Sequence, residues 1–486
     1  YRVNYTTERY LSRVRYNYDE KYYGEVSFRR DGSSKFHKDN RWGNFWSIGG
    51  SWIITREHFM KATKDIINDL KLRISYGEVG NDASVGTYGY MELYSLTQNN
   101  NLAAAYKTQN ANDKLKWEKT QSIGVALEGT FFNRLNVSLE YFDKRSKDLL
   151  FDVNLPLSSG GTSTSSLEAI VTRNIGTVSN RGFEINADVD IIKKKDWLWN
   201  VGMNGTYVRN KIIKLPEENR KNGIISGTKK YTEGRGIYDF WMYQFAGVDQ
   251  MTGNSLYLID SDKYYVDPKN ATADKNPVDS AEDLAKGAQK GYVINGKEYV
   301  THTSYAKKDW SGSAMPKWYG SFNTALTWKD LTVTALITYS LGGKIIDYNY
   351  KSLMSVTSNP SAIHKDAKKS WHAIPEGMTE DSRDRIDKNG TPALNYDASA
   401  ENNATSDRFL QNGSYLTFKN ITVNYNLPKR ITKKLNLARV GVNMSMENIY
   451  TITALKGMTP TQSFGGTNYN VFVPARVLSF GLNVQF

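Results

Sequence analysis

Apolar and polar residues alternate strictly over the last nine positions of the chain. The apolar positions are Leu478, Phe480, Leu482, Val484 and Phe486, and the residues between them are small or polar. Successive side chains of an extended strand point to opposite faces, so this stretch predicts a strand with one apolar and one polar face. The pattern alone leaves open whether the apolar face meets a protein core or lipid.

The same alternation recurs upstream, as in "RGFEINADVDI" (181–191), over runs of nine to eleven residues. Soluble strands usually have about 5–6 residues, whereas a tilted membrane-spanning strand needs about 9–11. The polar positions Glu184, Asn186, Asp188 and Asp190 suit a water-filled lumen, because repeated carboxylates are costly in a dry core. We therefore predict thirteen strands, which begin near residues 11, 22, 44, 71, 117, 136, 181, 197, 317, 331, 415, 439 and 475.

The links between the predicted strands alternate in length. Shorter links lie at 19–22, 56–70, 131–135, 193–196, 328–331 and 428–438, and long polar links lie at 31–43, 80–115, 150–180, 213–316, 342–414 and 453–474. An outer-membrane barrel has this arrangement, with short periplasmic turns and long extracellular loops. The pattern therefore favours an all-β fold, a transmembrane antiparallel β-barrel, over a large soluble all-β protein such as a sandwich array or a propeller.

The amino-acid composition agrees with an apolar surface that is bordered by aqueous zones. Aromatic residues make up 13% of the chain, with 32 Tyr and 11 Trp, while hydrophobic residues make up only 39%. Such amphipathic rings suit a boundary between apolar and aqueous zones. The 63 Lys and Arg exceed the 50 Asp and Glu, but they are scattered, and the run at 193–195 is the longest, so a nucleic-acid partner is not expected.

The cysteine content, the apolar runs and the first residues of the chain limit the structures that the sequence allows. The chain contains no cysteine, which excludes disulfides and thiolate chemistry within it. No apolar run approaches the roughly 18 residues of a transmembrane helix. The first residues, "YRVNYTTERY", have no Met, no basic region and no apolar region of a signal peptide, so we expect a piece of a longer protein.

Several segments together point to a known family. They are "YYGEVSFRRDGSSKF" (22–36), "NRWGNFWSIGGSWIITREHFM" (40–60), "LKLRISYGEVGN" (70–81), "LKWEKTQSIGVALE" (115–128), "NIGTVSNRGFEINADV" (174–189), "FAGVDQMTGN" (245–254), "NGSYLTFKNITVNYNLP" (412–428), "MENIYTITALKGMTP" (446–460) and "ARVLSFGLNVQF" (475–486). In this order they resemble segments of the SusC/RagA-type TonB-dependent transporters of Bacteroides-like bacteria. The resemblance extends over nearly the whole chain.

The resemblance implies a 22-stranded barrel closed by a plug, in which residues 1–486 form the C-terminal part of the barrel. The plug and the N-terminal strands are then expected outside this chain. The implied function is TonB-dependent active import of oligosaccharides or oligopeptides across the outer membrane of a Gram-negative bacterium. The implied partners are a SusD-like surface lipoprotein, which acts as a lid, and TonB, which contacts the N-terminal part. A passive or adhesive outer-membrane barrel without energy coupling is the alternative.

The sequence shows no residue pattern typical of an enzyme. The five His are scattered, and no catalytic residue, cofactor or metal site is expected. The segment "DRIDKNG" (384–390) differs from a calcium loop, because Arg385 occupies the first ligand position and no Glu closes the loop. A solvated turn rich in Asp and Asn is the expected structure there.

Aromatic residues in the longest predicted loop are candidates for ligand contact. Tyr238, Trp241 and Tyr243 lie close together in sequence, and Trp310 follows in the same connection. Aromatic rings stack on sugars and pack against peptide side chains, so these residues are candidates for contact with a substrate or a partner. Packing within the loop is the alternative.

Overall fold

Thirteen strands form one antiparallel sheet, which we call the wall, and each strand except the two at its edges pairs with the preceding and the following strand of the wall. The computed structural model describes residues 4–155, 158, 169–260, 292–357, 362–455, 457–462, 465–468 and 472–486. With all strands numbered in chain order, the wall consists of β1 (Thr7–Tyr18), β2 (Tyr22–Ser33), β3 (Trp42–Ile53), β4 (Ile67–Asn81), β7 (Glu118–Phe131), β8 (Leu135–Leu155), β9 (Ala169–Lys194), β10 (Trp197–Lys214), β19 (Trp318–Trp328), β20 (Leu331–Leu341), β24 (Tyr415–Asn426), β25 (Arg439–Thr453) and β27 (Val477–Gln485). The predicted thirteen-stranded antiparallel sheet is confirmed.

Apolar side chains form continuous rows across one face of this sheet. Ile74, Val125, Tyr141, Phe183 and Tyr207 are successive cross-strand partners on five neighbouring strands. All but Tyr207 are exposed, and Ile74 is 52% and Phe183 is 57% exposed. A sandwich would bury such a row between two sheets, so the soluble alternative is wrong and the row is the lipid-facing surface of a barrel wall.

Aromatic pairs border this apolar face at both ends. Trp197 and Trp328 lie 5.7 Å apart at one end, and Tyr207 and Trp318 lie 5.3 Å apart at the other. Ten residue steps of about 3.4 Å, tilted by about 40°, separate the two ends of β19 by about 26 Å along the membrane normal. This distance matches the apolar band of about 25 Å between the aromatic girdles of outer-membrane barrels.

The links alternate between the two ends of the sheet, as predicted. Two of the short turns place both central residues in the left-handed region, Asp19 with Glu20 and Phe132 with Asn133, which matches the twist of a tight hairpin. The length order is broken once, because the link 34–41 is shorter than the link 54–66 on the opposite end. The prediction of a long loop at 150–180 is also wrong, since β8 and β9 continue through much of it and leave only 156–168 between them.

The long links are folded rather than irregular, which the alternation in sequence did not predict. Their strands are β5 (Leu93–Asn99), β6 (Leu102–Gln109), β11 (Ile224–Ser226), β12 (Lys229–Tyr231), β13 (Asp239–Tyr243), β14 (Phe245–Asp249), β15 (Ser255–Leu258), β16 (Tyr292–Ile294), β17 (Lys297–Val300), β18 (Lys308–Ser313), β21 (Lys344–Asp347), β22 (Ile386–Asp387), β23 (Leu410–Asn412) and β26 (Thr467–Asn468). They form sheets of four, five, three and two strands, with small hydrophobic clusters beside them. Most of the largest side chains that are fully buried, such as Phe240 and Tyr257, belong to these links, whereas Phe45 and Ile212 belong to wall strands β3 and β10.

Helices are few and short. The α-helices are Tyr348–Met354, Ser399–Asn402 and Lys429–Thr432, and the 3-10 turns are Ile54–Arg56, His58–Thr63, Glu217–Asn219, Thr303–Tyr305, Lys365–Lys369, Asp407–Phe409, Lys433–Leu435 and Pro460–Gln462. Within the described ranges, none has the length and hydropathy needed to cross a bilayer.

Trp117 departs from the predicted alternation. The sequence pattern places it on the apolar face together with Ile123, but it precedes β7 and is only 5% exposed. It packs with Phe36 of the neighbouring link and with Phe45 of β3 in a buried cluster, and its indole N–H donates to the Arg41 carbonyl at 2.8 Å. The lipid-facing run of β7 therefore begins after Trp117.

Candidate functional site

The polar face of the wall carries the acidic and amide residues of β9. Glu184, Asn186, Asp188 and Asp190 alternate along β9 with apolar residues, so all four lie on the same face. The Asn200 side chain on β10 joins two of them, because its amide donates to Asp188 and to Asp190, each at 3.1 Å. The strand register thus brings these residues together as a hydrophilic surface.

A network of opposite charges extends this polar face across β4, β7 and β8. The Arg73 guanidinium lies 3.3 Å from a Glu128 oxygen and 2.8 Å from a Glu140 oxygen, and Lys71 lies 3.2 Å from Glu128. Sequence reasoning missed this network. Its signal was the alternation of Lys71 and Arg73 with apolar residues in "LKLRISY", but the acidic partners lie more than fifty positions away and only the register identifies them.

A hollow of about 540 Å³ lies against the polar side chains of several strands. Glu128, Asn186, Asp188, Asn204 and Asn323 are among the residues that line it. Amide and carboxylate groups at this density bind water and hydroxyl groups, although Val137, Ala187 and Met203 also border the hollow. The arrangement suits the passage of a hydrated solute better than its storage.

The second candidate site lies on the four-stranded sheet β11–β12–β13–β18. Alternation along β13 sends Phe240 and Met242 to one side, where both are buried against Ala314, Ile346 and Phe409. Trp241 and Tyr243 point to the other side and stay half-buried. Of the residues singled out in the sequence, Tyr238 packs against the Phe240 cluster, whereas Trp241, Tyr243 and Trp310 share the opposite side.

Trp241, Tyr243 and Trp310 lie on the same side of the sheet, and we call them the aromatic face; Tyr243 also packs against the buried Tyr257, with ring centroids 6.3 Å apart. Trp241 and Trp310 are cross-strand partners on β13 and β18, and their rings lie 5.1 Å apart at an angle of 67°. Tyr243 is the cross-strand partner of Lys308, whose ammonium lies 4.6 Å from the centre of the Tyr243 ring. Pairing on both sides holds β13 in place, so these rings are fixed by the sheet beneath them.

Two further cations lie over this surface. The Lys230 ammonium is 4.3 Å from the Trp241 ring, and the Arg235 guanidinium is 4.6 Å from the Trp310 ring. Each cation–π contact is worth about 0.5–1 kcal/mol at an exposed site. The aromatic face is therefore also a cationic face, which the spacing of aromatic residues in the sequence did not reveal.

A buried ion pair supports the neighbouring five-stranded sheet. Asp249 at the end of β14 is fully buried and receives two hydrogen bonds from the Arg385 guanidinium, at 2.8 and 3.1 Å. Burial alone raises the pKa of the Asp249 carboxyl, but the hydrogen bonds from Arg385, Met251 and Thr252 outweigh it and hold the pKa below its ordinary value. Arg385 thus has a structural partner where a calcium loop would have a ligand.

The expected turn rich in Asp and Asn comes directly after Arg385 in the sequence. The Asn389 backbone N–H donates to the Asp387 carboxylate at 2.9 Å, which closes a turn of this kind. Across the ranges that the structure describes, no three His, Asp or Glu side chains are placed to hold a metal ion.

Comparison with known proteins gives consistent results. The family model of the TonB dependent receptor-like β-barrel matches residues 1–444. The chain is 28% identical over 499 residues to TonB-dependent receptor P3 of Formosa agariphila. This alignment covers 98% of this chain and 45% of that protein. It is 26% identical over 501 residues to TonB-dependent receptor SusC of Bacteroides thetaiotaomicron. This second alignment covers 100% of this chain and 44% of that protein.

A solved structure agrees with these relatives. The RagAB peptide transporter superposes on 99% of this chain and 48% of its own chain, with a TM-score of 0.77 and 23% identity, which establishes the shared fold. The chain thus spans a little under half the length of the proteins it resembles. The resemblance read from the sequence segments is confirmed, and the chain belongs to the TonB-dependent receptor-like β-barrel family of the bacterial outer membrane.

Proposed function

We propose that the protein containing this chain imports oligosaccharides or oligopeptides actively across the outer membrane, driven by TonB. The observation that supports this most strongly is the family match over residues 1–444, together with the likeness to SusC and to the RagAB peptide transporter. The family is one of receptors and not of enzymes. We expect the substrate to cross the membrane with its bonds unchanged.

The two faces of the wall support this function. The apolar face with its aromatic borders fits a bilayer, and the opposite face presents Glu128, Asp188 and Asn204 to the hollow described above. In our proposal the polar residues Glu184, Asn186, Asp188 and Asp190 line the lumen of the barrel. A hydrophilic wall of this kind lets a hydrated chain pass without being held at one point.

The chain itself forms the C-terminal part of a larger barrel in this proposal. β1 and β27 are the two edges of the sheet, and an open edge in lipid leaves backbone N–H and C=O groups unpaired at a cost of several kcal/mol each. Further strands of the same protein would pair with both edges, and a plug would close the lumen. The coverage of about 45% of the relatives' length is consistent with this division.

A SusD-like surface lipoprotein is the proposed lid, and TonB is the proposed source of force through the N-terminal part. The folded long links would offer docking surface for the lid, with the aromatic face as a contact for substrate or lid. The alternative, a passive or adhesive barrel, has no observation in its favour. It predicts a function that does not depend on TonB.

Uptake in cells tests the proposal. Bacteria that carry the intact transporter are given labelled oligosaccharide or peptide mixtures, and the accumulated compounds are identified by mass spectrometry. We expect accumulation to stop when TonB or the lid lipoprotein is deleted, while the barrel still assembles in the outer membrane. Uptake that continues at the same rate without TonB would establish the passive barrel instead.

A further inference from the structure

We propose that the aromatic face and its cations recognise an acidic oligosaccharide, one whose sugar rings carry carboxylate or sulfate groups. The inference rests on the proposed import function and specifies its substrate class. The site consists of Trp241, Tyr243 and Trp310 with the cations Lys230 and Arg235 above them.

Charge balance at this face favours an anionic ligand. In the described part of the chain, Lys230 and Arg235 contact the tryptophan rings and neither forms an ion pair with a carboxylate. The neighbouring carboxylate of Asp309 accepts the Trp310 backbone N–H at 2.7 Å and pairs with Lys307 at 3.1 Å, and it interacts with the Arg235 charge only at longer range. The donors of both cations are therefore available for charge-assisted hydrogen bonds to an added anion.

The cations also change what the rings can bind. A neutral sugar stacks on an open aromatic face, but Lys230 lies 4.3 Å above Trp241 and Arg235 lies 4.6 Å from Trp310. A ligand that approaches from that side meets positive charge before it meets the ring. A sugar with an acidic substituent satisfies the cation and packs its apolar C–H groups against the half-buried indole rings at the same time.

The sheet geometry favours a glycan over a peptide. Peptides commonly bind by adding a strand to a free sheet edge, where main-chain hydrogen bonds provide affinity. β13 pairs with β12 on one side and with β18 on the other, so it offers no free edge beside Trp241. Recognition here depends on side chains alone, and the buried Phe240 and Met242 beneath them hold these side chains in place before the ligand arrives.

Binding to the intact transporter–lid complex, purified from outer membranes, tests this inference. The probes are hexagalacturonate for carboxylate, a heparin-derived hexasaccharide for sulfate, maltohexaose as the neutral glycan and hexaglutamate as the acidic peptide. We expect one of the two acidic glycans to bind more tightly than maltohexaose and hexaglutamate, with affinity that falls as salt rises. Lys230→Gln or Arg235→Gln should each weaken that binding about tenfold, and Lys230→Arg should restore most of it.

The matched control is Lys221→Gln, because Lys221 is an exposed cation of the same link that contacts no ring of the aromatic face. It should leave acidic-glycan binding unchanged, and all variants should assemble with normal heat-modified migration. Equal binding of maltohexaose, tighter binding of hexaglutamate, or unchanged affinity in both glutamine variants would overturn the inference. TonB-dependent uptake with any of these results would leave the import function standing, whereas uptake independent of TonB would overturn that function alone.

Discussion

A charge placed on the outer face of β19 tests the orientation of the wall directly. Phe322 lies between the aromatic borders of this strand, and it is 43% exposed while its ring stacks on Tyr339 at 5.3 Å. Its neighbour Asn323 points to the opposite face and lines the polar hollow. We predict that Phe322→Arg destabilises the barrel strongly and that Asn323→Arg does not.

The magnitude follows from the position of Phe322. Trp318 and Trp328 mark the two membrane borders, so Phe322 lies four residues from one and six from the other, close to the bilayer midplane. Arginine at the midplane costs about 2–4 kcal/mol, and loss of the stacked pair adds about 0.5–1.5 kcal/mol. The expected cost of Phe322→Arg is therefore about 3–5 kcal/mol, against less than about 1 kcal/mol for Asn323→Arg in a wet lumen.

The assay is guanidinium unfolding of the full-length transporter in phospholipid vesicles, read by tryptophan fluorescence and by the fraction with heat-modified migration. The two substitutions lie at neighbouring positions and each adds one positive charge, so the change in net charge is the same in both variants. Equal destabilisation by the two substitutions would refute the assignment of apolar face to lipid and polar face to lumen.

Three further predictions concern the folded links. Arg385→Leu should cost about 3–5 kcal/mol of local stability, because Asp249 stays buried without a cation. We expect faster protease cleavage within the links while the barrel stays intact. An unchanged cleavage rate would contradict this prediction. Because the folded-state pKa of Asp249 lies below its ordinary value, the pair stabilises these links above the unfolded pKa of about 3.9. Protease sensitivity should thus rise as pH falls through the folded-state pKa, and a flat profile would count against the pair. Phe240→Ala should cost about 3–5 kcal/mol of local stability because the side chain is fully buried. Tyr396→Ala, at an exposed position, should change stability by less than about 0.5 kcal/mol. Hydrogen exchange of the β13 amides should therefore become faster in Phe240→Ala and stay unchanged in Tyr396→Ala.

The strands of the wall were predictable because lipid and a wet lumen impose a strict rule on every residue. Alternation located β10 and β24 to the residue, at Trp197 and Tyr415, since each position must suit one of two very different solvents. The rule fails where the chain leaves the membrane. Trp117 continues the alternation in sequence yet is buried in a cluster with Phe36 and Phe45, because outside the bilayer an aromatic side chain gains more from burial against protein than from exposure to water.

The aromatic face was predictable only in part. Sequence clustering identified Trp241 and Tyr243, but it grouped them with Tyr238, which packs into the core beside Phe240. The period of two along β13 separates these residues, and a strand this short inside a long link leaves too few positions for the period to be recognised. The cations over the rings were unpredictable, because Lys230 and Arg235 reach them across separate turns of the chain.

The sequence by itself determined the class of the protein: a wall of long antiparallel strands, apolar on one face and polar on the other, with links that alternate between its ends. This information is local, since the pleat of a strand assigns each side chain to a face without reference to distant residues. Only the tertiary structure decided which residues meet, as with Arg73 and Glu140 or Asp249 and Arg385. Such pairs depend on strand register and on the packing of links far apart in the chain, where many pairings satisfy the same local pattern and the total buried surface and charge select one of them.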